Sequence, residues 1–265
     1  CLMATNPHSP LRTVSTTLGY KDVAIVENLN FNITDGSFTV IVGPNACGKS
    51  TLLRSLARLL EPLSGEILLD GKDISRLPTK LVAKRLGLLP QASVSPEGIT
   101  VRDLVARGRF PHQRMLRQWS AEDDAAIEQA LSATGVSELA HRQMDTLSGG
   151  QQQRVWISLV LAQQTSLLLL DEPTTFLDIT HQLEVLNLCK RLHSSGNYTL
   201  IAVLHDLNLA FRYATHLIVM KEGGIVAEGT PETIVTADLI ENVYGIECLI
   251  VPDPLTDRPM VVPKP

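Results

Sequence analysis

Residues 40–53 read VIVGPNACGKSTLL, and no other stretch restricts the fold as strongly. An apolar, β-branched run that reads as a strand meets glycine, proline and asparagine. A second glycine, a lysine and two hydroxyls follow, and then two leucines that open a helix. Gly43 to Ser50, GPNACGKS, fits the pattern G-x-x-x-x-G-K-[ST], with the preceding strand and following helix that give the pattern its meaning. Backbone N–H groups at a helix N-terminus point at an anion, and the helix dipole favours negative charge there. Gly43 and Gly48 let the backbone wrap a chain of phosphates without a clashing Cβ. Lys49 is expected to reach the β- and γ-phosphates of a nucleotide, and the Ser50 hydroxyl to ligate Mg²⁺. Ala46 stands where glycine is more usual, so the backbone angles there are expected to suit a residue with a Cβ. Cys47 reads as a small residue at a tolerant position rather than as a reactive thiol.

The chain has 265 residues, enough to bury a substantial core in one or two compact units. Its 28 acidic and 23 basic side chains leave a net charge of −5, which argues against a general nucleic-acid binder. Four scattered cysteines, Cys1, Cys47, Cys189 and Cys248, form no CxxC pair and no His/Cys metal spacing. A reducing compartment fits them best. Residues 1–12 carry no apolar core of the length a signal peptide needs and are read as a disordered or tag-like N-terminus. The apolar runs fall far short of the ~20 residues of a spanning helix. A soluble chain is expected, whose membrane role comes through a partner.

Alternating strand patterns occupy residues 13–42, and LSGEILLDGKDI (63–74) reads as turn, strand and turn. RLGLLPQ (85–91) reads as a short buried strand stopped by Pro90. Helical signals dominate from about residue 92 to 150. Ser120 is the expected N-cap of a helix with Asp123 three residues on, Ile127, Leu131 and Thr134 on one face, and Gly135 at its end. Strand signals return at SLLLLDEP (166–173), YTLIAVLHD (198–206) and HLIVMKEGGIVAEG (216–229). Strands separated by helices imply a parallel sheet with functional loops at the strands' carboxyl ends.

A buried strand explains Leu167 to Leu170, but not the adjacent carboxylates Asp171 and Glu172 at its end. Beside a phosphate loop, Asp171 is the expected partner of Mg²⁺ through its water, and Glu172 the base that polarises an attacking water. Gln91 and His205 each end a strand. By itself Gln91 reads as a polar turn residue and His205 as a satisfied strand-end histidine. Gln91 could also touch Mg²⁺ or the attacking water, and His205 a γ-phosphate. LSGGQQQR (147–154) leads into a helical run and forms a second anion-receptive helix start.

With these residues in view, positions 13–245 resemble the ATP-binding subunit of ABC transporters. The phosphate loop 43–51, Gln91, LSGGQ at 147–151, Asp171-Glu172, Asp178 in FLDIT and His205 stand in the order of that family. The resemblance implies an α/β P-loop NTPase core, with a mixed sheet flanked by helices and a helical subdomain of about 92–155 inserted, and a separate tail at 246–265. It implies catalytic roles for Glu172, His205, Gln91 and Lys49, and metal binding by Ser50, Gln91 and Asp171. It assigns nucleotide contacts to Tyr20, Gly43, Asn45, Ala46, Cys47, Gly48, Lys49, Ser50 and Thr51, with Tyr20 stacking on adenine. Ser148, Gly149, Gly150, Gln151 and Asp178 are then to face the nucleotide of a second copy in a head-to-tail dimer. The cofactors are ATP and Mg²⁺. The insertion docks on a membrane permease at the cytoplasmic face of the cell membrane.

VARGRFPHQ (105–113), residues 160–182 and 203–231 and the tail from 241 are similar to the ATPases of iron–siderophore importers, of the ferric-enterobactin type. A siderophore-binding protein is then an indirect partner, and no nucleic acid is one. The same role with haem, cobalamin or another chelate as cargo is the alternative, and a soluble ABC protein outside transport the remoter one. Gln152 stands where that family commonly has arginine.

Overall fold

The computed structural model describes residues 9–91, 93–113 and 119–265. The expected tag-like N-terminus falls mostly on residues 1–8, outside the described residues, and the first strand begins at Leu11. The chain divides into two compact units, one from residues up to 77 together with 199–265, the other from residues 78–198.

The first unit opens with β1 (Leu11–Tyr20) and β2 (Val23–Ile33), antiparallel partners that turn at Lys21 and Asp22. Alternation of apolar and polar side chains pins their register, because a one-residue slip would turn Leu11, Leu18 and Ile33, all fully buried, to solvent. β3 (Phe38–Val42) is buried at every position, as its unbroken FTVIV run requires. It delivers the chain to the phosphate loop and α1 (Lys49–Leu56), which buries Leu52, Leu53 and Leu56. β4 (Ser64–Leu69) pairs antiparallel with β1, and the two-residue β5 (Lys72–Asp73) with β4.

The second unit contains α2 (Thr79–Arg85), β6 (Leu86–Leu89), α3 (Val101–Ala106), α4 (Ala121–Thr134), α5 (Gly149–Ala162), β7 (Leu167–Asp171) and α6 (Ile179–Ser194). β6 and β7 run parallel with Leu86 opposite Leu167 and Leu89 opposite Leu170. The predicted capping box starts α4: Asp123 N–H donates to Ser120 Oγ at 3.4 Å, and Ser120 N–H to Asp123 Oδ2 at 3.2 Å. Ile127, Leu131 and Thr134 are all buried, Gly135 ends the helix in the left-handed conformation at φ 69°, and Thr134 Oγ1 lies 2.6 Å from Ser158 Oγ on α5. Arg109, 4% exposed, donates from Nε to Asp123 Oδ1 at 2.9 Å and from Nη1 to Ala162 O and Gln164 Oε1, both at 2.8 Å. One buried guanidinium thereby ties the first turn of α4 to the last carbonyl of α5, where the helix dipole favours a cation, and to the Gln164 side chain just beyond it.

The chain then returns to the first unit through β8 (Thr199–Val203), α7 (Leu207–Tyr213), β9 (His216–Lys221), β10 (Gly224–Gly229), α8 (Pro231–Ile234), α9 (Ala237–Tyr244), β11 (Cys248–Pro252) and β12 (Pro259–Pro263). β3 lies between β8 and β9, parallel to both, and β10 folds back antiparallel on β9, so this sheet is mixed. The expected tail at 246–265 forms a hairpin, in which β11 and β12 pair in full register. That hairpin is fastened to one face of α7. Asn208 Nδ2 donates to Val261 O at 3.2 Å, Val261 N–H to Asn208 Oδ1 at 2.8 Å, and Arg212 Nε to Asp253 Oδ2 at 2.9 Å. The Leu255 N–H and the Arg212 guanidinium hold the Asp253 carboxyl below its usual range. Cys47, Cys189 and Cys248 are buried free thiols, and burial pushes Cys189 up to about 12.

Candidate nucleotide site

The phosphate loop leaves β3 at Gly43, where φ is 157° and an added Cβ would stand 2.3 Å from the Met220 carbonyl oxygen. Backbone cannot yield there, so glycine is required. Gly48, at φ 101°, precedes the first turn of α1, and a Cβ on it would lie 2.6 Å from Val26 Cγ2. The expectation for Ala46 is corrected: its φ is 63°, in the left-handed region that an L residue enters at a cost. Ala46 lies inside a turn closed by Cys47 N–H donating to Pro44 O at 3.4 Å, and the loop is tied from outside by Gly223 N–H donating to Cys47 O at 3.2 Å.

Lys49 is 5% exposed, and its ammonium group donates to Gly43 O and Pro44 O, both at 2.8 Å. The charge is thereby held over the loop's own backbone, 3.9 Å from Cys47 Sγ. Cys47 is buried, as a small filler would be. Asn45 is exposed, Ser50 half-buried and Thr51 buried. Tyr20, 41% exposed as a residue, ends β1 with its hydroxyl accepting from Arg54 Nη1 at 3.4 Å. An aromatic face is thus available at that strand end, steadied by a residue of α1. His205 is exposed just past β8, one residue before Asp206, which accepts from Leu209 N–H at 2.8 Å and caps α7.

In the second unit β7 is buried throughout and ends at Asp171, 4% exposed. Glu172 follows with φ 51°, again left-handed, and is 9% exposed. Its Oε2 accepts from Gln91 Nε2 at 2.6 Å and from Thr175 Oγ1 at 3.1 Å. Gln91, which read by itself as a polar turn residue, therefore sits on the carboxylate expected to act as base. Asp178 caps α6 by accepting from His181 N–H at 2.9 Å.

Ser148 caps α5 in a reciprocal box: its Oγ accepts from Gln151 N–H at 3.3 Å, and Gln151 Oε1 accepts from Ser148 N–H at 3.1 Å. Gln152 donates from Nε2 to Met144 O at 3.0 Å and Leu147 O at 3.2 Å, which ties down the approach to this helix start.

Sequence reasoning passed over Thr175 and His181. A hydroxyl three residues after an acid is a turn signal that could have flagged Thr175, whereas nothing local points to His181. Its ring lies against Gly150, where an added Cβ would fall 2.4 Å from His181 Cγ. His181 Nδ1 is 3.1 Å from Glu184 Oε2, so the ring is also held from behind. Alanine exceeds glycine in helix propensity by about 1 kcal/mol, but overpacking costs about 1–3 kcal/mol. Gly150→Ala is therefore expected to lower the melting temperature, and to raise it when made in a His181→Ala background. Melting curves of the four chains test this, and a stabilising effect in both backgrounds would remove the ring as the obstacle.

Residues 26–175 match the model of the family described as ABC transporter. The chain is 54% identical over 253 residues to the ferric enterobactin transport ATP-binding protein FepC of Escherichia coli (strain K12), covering 96% of this chain and 93% of that protein. It is 46% identical over 250 residues to the iron(3+)-hydroxamate import ATP-binding protein FhuC of Bacillus subtilis (strain 168), covering 94% and 93%. In structure it is similar to the ATP-binding cassette MJ0796, solved as a dimer in a post-hydrolysis state with ADP and Pi. The TM-score is 0.72 at 28% identity, over 83% of this chain and 98% of that one. With an α/β architecture, a mixed sheet and a phosphate loop between β3 and α1, this chain belongs to the ABC transporter family as one of its ATP-binding, ATP-hydrolysing subunits.

Proposed function

We propose that the chain is the peripheral ATPase that energises import of an iron(III)–siderophore complex through a membrane permease, working as a head-to-tail pair at the cytoplasmic face of the cell membrane. The observation that carries the cargo is the 54% identity, along 96% of the chain, to a ferric enterobactin transport ATP-binding protein. Among the described residues no helix is long and apolar enough to cross a membrane, so attachment falls to the permease. The helical stretch of about 92–155 is the part assigned to that contact. A siderophore-binding protein delivers the cargo to the permease on the far side.

In this reading Gly43 to Thr51 hold the triphosphate through backbone N–H groups, and Lys49 neutralises charge on the β- and γ-phosphates. Tyr20 stacks on the adenine. Ser148, Gly149, Gly150 and Gln151, at the capped start of α5, and Asp178 face the nucleotide of the second copy. Glu172 takes the proton from the water whose oxygen attacks the γ-phosphorus, as the bond to the β–γ bridging oxygen breaks. Gln91 orients that water, and His205 donates to a γ-phosphate oxygen.

Ser50, Asp171 and Gln91 offer hydroxyl, carboxylate and amide oxygens, the hard donors that suit Mg²⁺. Among the described residues no group of three or more His, Cys, Asp or Glu could hold a metal ion. That fits an ion of the kind bound by one or two carboxylates together with substrate phosphates. When bound, Mg²⁺ offsets the charge that develops on the phosphoryl oxygens.

The test is ATPase activity of the chain reconstituted with its permease and binding protein, measured across several chelates. Stimulation by ferric siderophores, and none by haem or cobalamin, is expected. Stimulation by haem or cobalamin alone would overturn the cargo, and co-purification with ribosomes instead of a permease would overturn the transport role.

A further inference from the structure

We propose that Thr175 is a positioning residue for Glu172, fixing the carboxylate in the orientation from which it takes the water's proton. The proposal rests on the reading of Glu172 as the general base. Thr175 holds Glu172 at both ends. Its backbone N–H donates to Glu172 O at 3.2 Å, closing a turn, and its hydroxyl donates to Glu172 Oε2 at 3.1 Å. Glu172 needs such a grip, because its φ of 51° puts a long, branchless side chain on a backbone that L residues enter at a cost. A glutamate side chain also gives up rotamer freedom when it is fixed. Part of that loss is met in advance if the side chain is already tied before the water arrives.

The second donor on the same oxygen, Gln91 Nε2 at 2.6 Å, comes from the end of β6, 81 positions away in sequence. Its hold on Glu172 depends on where that strand end and the segment after it lie. The Thr175 contact spans three residues and depends only on the turn. It does not depend on where Gln91 lies. Threonine suits the task because its branched Cβ leaves few χ1 states, so the direction of the hydroxyl is set by the backbone.

The experiment compares Thr175→Val, which keeps the shape and loses the donor, with Thr175→Ser, which keeps the donor, in the full chain. Thr175→Ala serves as a second donorless variant should the valine disturb the turn. Each is also made together with Glu172→Gln. Loss of a hydrogen bond to a charged group predicts that kcat falls about tenfold in Thr175→Val and Thr175→Ala, with KM for ATP unchanged. Thr175→Ser is expected to stay within about twofold of the parent. In the Glu172→Gln background the valine is expected to add nothing to the loss, because there is no base left to position.

A parental kcat in both donorless variants, a raised KM with kcat retained, or a full additional loss in the Glu172→Gln background would overturn the positioning role and leave the base assignment standing. Full turnover by Glu172→Gln alone would instead remove the base assignment, and the proposal with it.

Discussion

Glu172→Gln is expected to bind ATP about as tightly as the parent chain and to hydrolyse it about 10²- to 10⁴-fold more slowly, the span that a positioned general base contributes. The replacement changes little else. A glutamine has the length of glutamate, and its amide oxygen can still accept from Gln91 and Thr175, which now meet at Glu172 Oε2 at 2.6 and 3.1 Å. What it loses is the ability to take a proton at neutral pH. Nucleotide affinity, measured with a fluorescent analogue, is expected to hold while turnover collapses. The ATP-bound pair, no longer emptied by hydrolysis, is expected to elute as a dimer on gel filtration. Hydrolysis at the parental rate would refute the role of Glu172. A loss of affinity equal to the loss of turnover would make it a binding residue instead.

The largest effect on stability is expected at the Arg109–Asp123 pair. Side-chain exposures of 4% and 9% leave both charges with almost no water. Removing one partner from a buried pair costs about 3–5 kcal/mol, because the other charge stays behind uncompensated. Asp123→Ala is therefore expected to lower the free energy of unfolding by about that amount, with the bonds that Ser120 N–H and Oγ–H give to Asp123 Oδ2 lost besides. Replacing both residues together, as Arg109→Met with Asp123→Leu, is expected to cost much less, since a well-packed apolar pair often matches a buried ion pair. Denaturant titration of the three chains decides it. Equal losses in the single and the double variants would show that packing, not charge, is at stake.

The pair also sets a pH dependence. Burial pulls the Asp123 carboxyl upward, but hydrogen bonds from Arg109 and Ser120 outweigh it and leave the group below its ordinary value. A carboxylate depressed in the folded state stabilises the fold above its unfolded value, and the contribution is lost as pH falls through the folded one. The parent is thus expected to lose this stability below about pH 4, and Asp123→Asn to show a flatter acid limb.

Much of this molecule was legible in the sequence where the physics is local. The strand, glycine and helix around residues 40–53, the capping box at Ser120 and the buried strand before Asp171 all depend on neighbours a few residues away, and each stands where the pattern put it. The left-handed angle of Ala46 was not legible because it belongs to a turn from Pro44 to Cys47 in a loop that Gly223, far downstream, binds at Cys47. Gln91 read by itself as a polar turn residue, and nothing local pointed to His181, for the same reason. Their meaning lies in Glu172 and Gly150, which only the fold brings to them. The β11–β12 hairpin escaped notice because polar ties from Asn208 and Arg212 fasten it to α7, and no periodicity of its own announces them.

The place of β3 has a consequence for how the chain comes to be folded. Val40 pairs with Ala202 on one side and Leu217 on the other. Every partner of this wholly buried strand is therefore synthesised only after residues 78–198 have been made. During translation FTVIV waits as an unpaired, β-prone, uncharged segment, the kind that recruits other nascent chains into aggregates. Residues 78–198 are contiguous and carry their own parallel pair, β6 and β7, so they can gain order in the meantime. The loop that hangs from β3 is thus made before the strands that flank β3 and takes shape only after them.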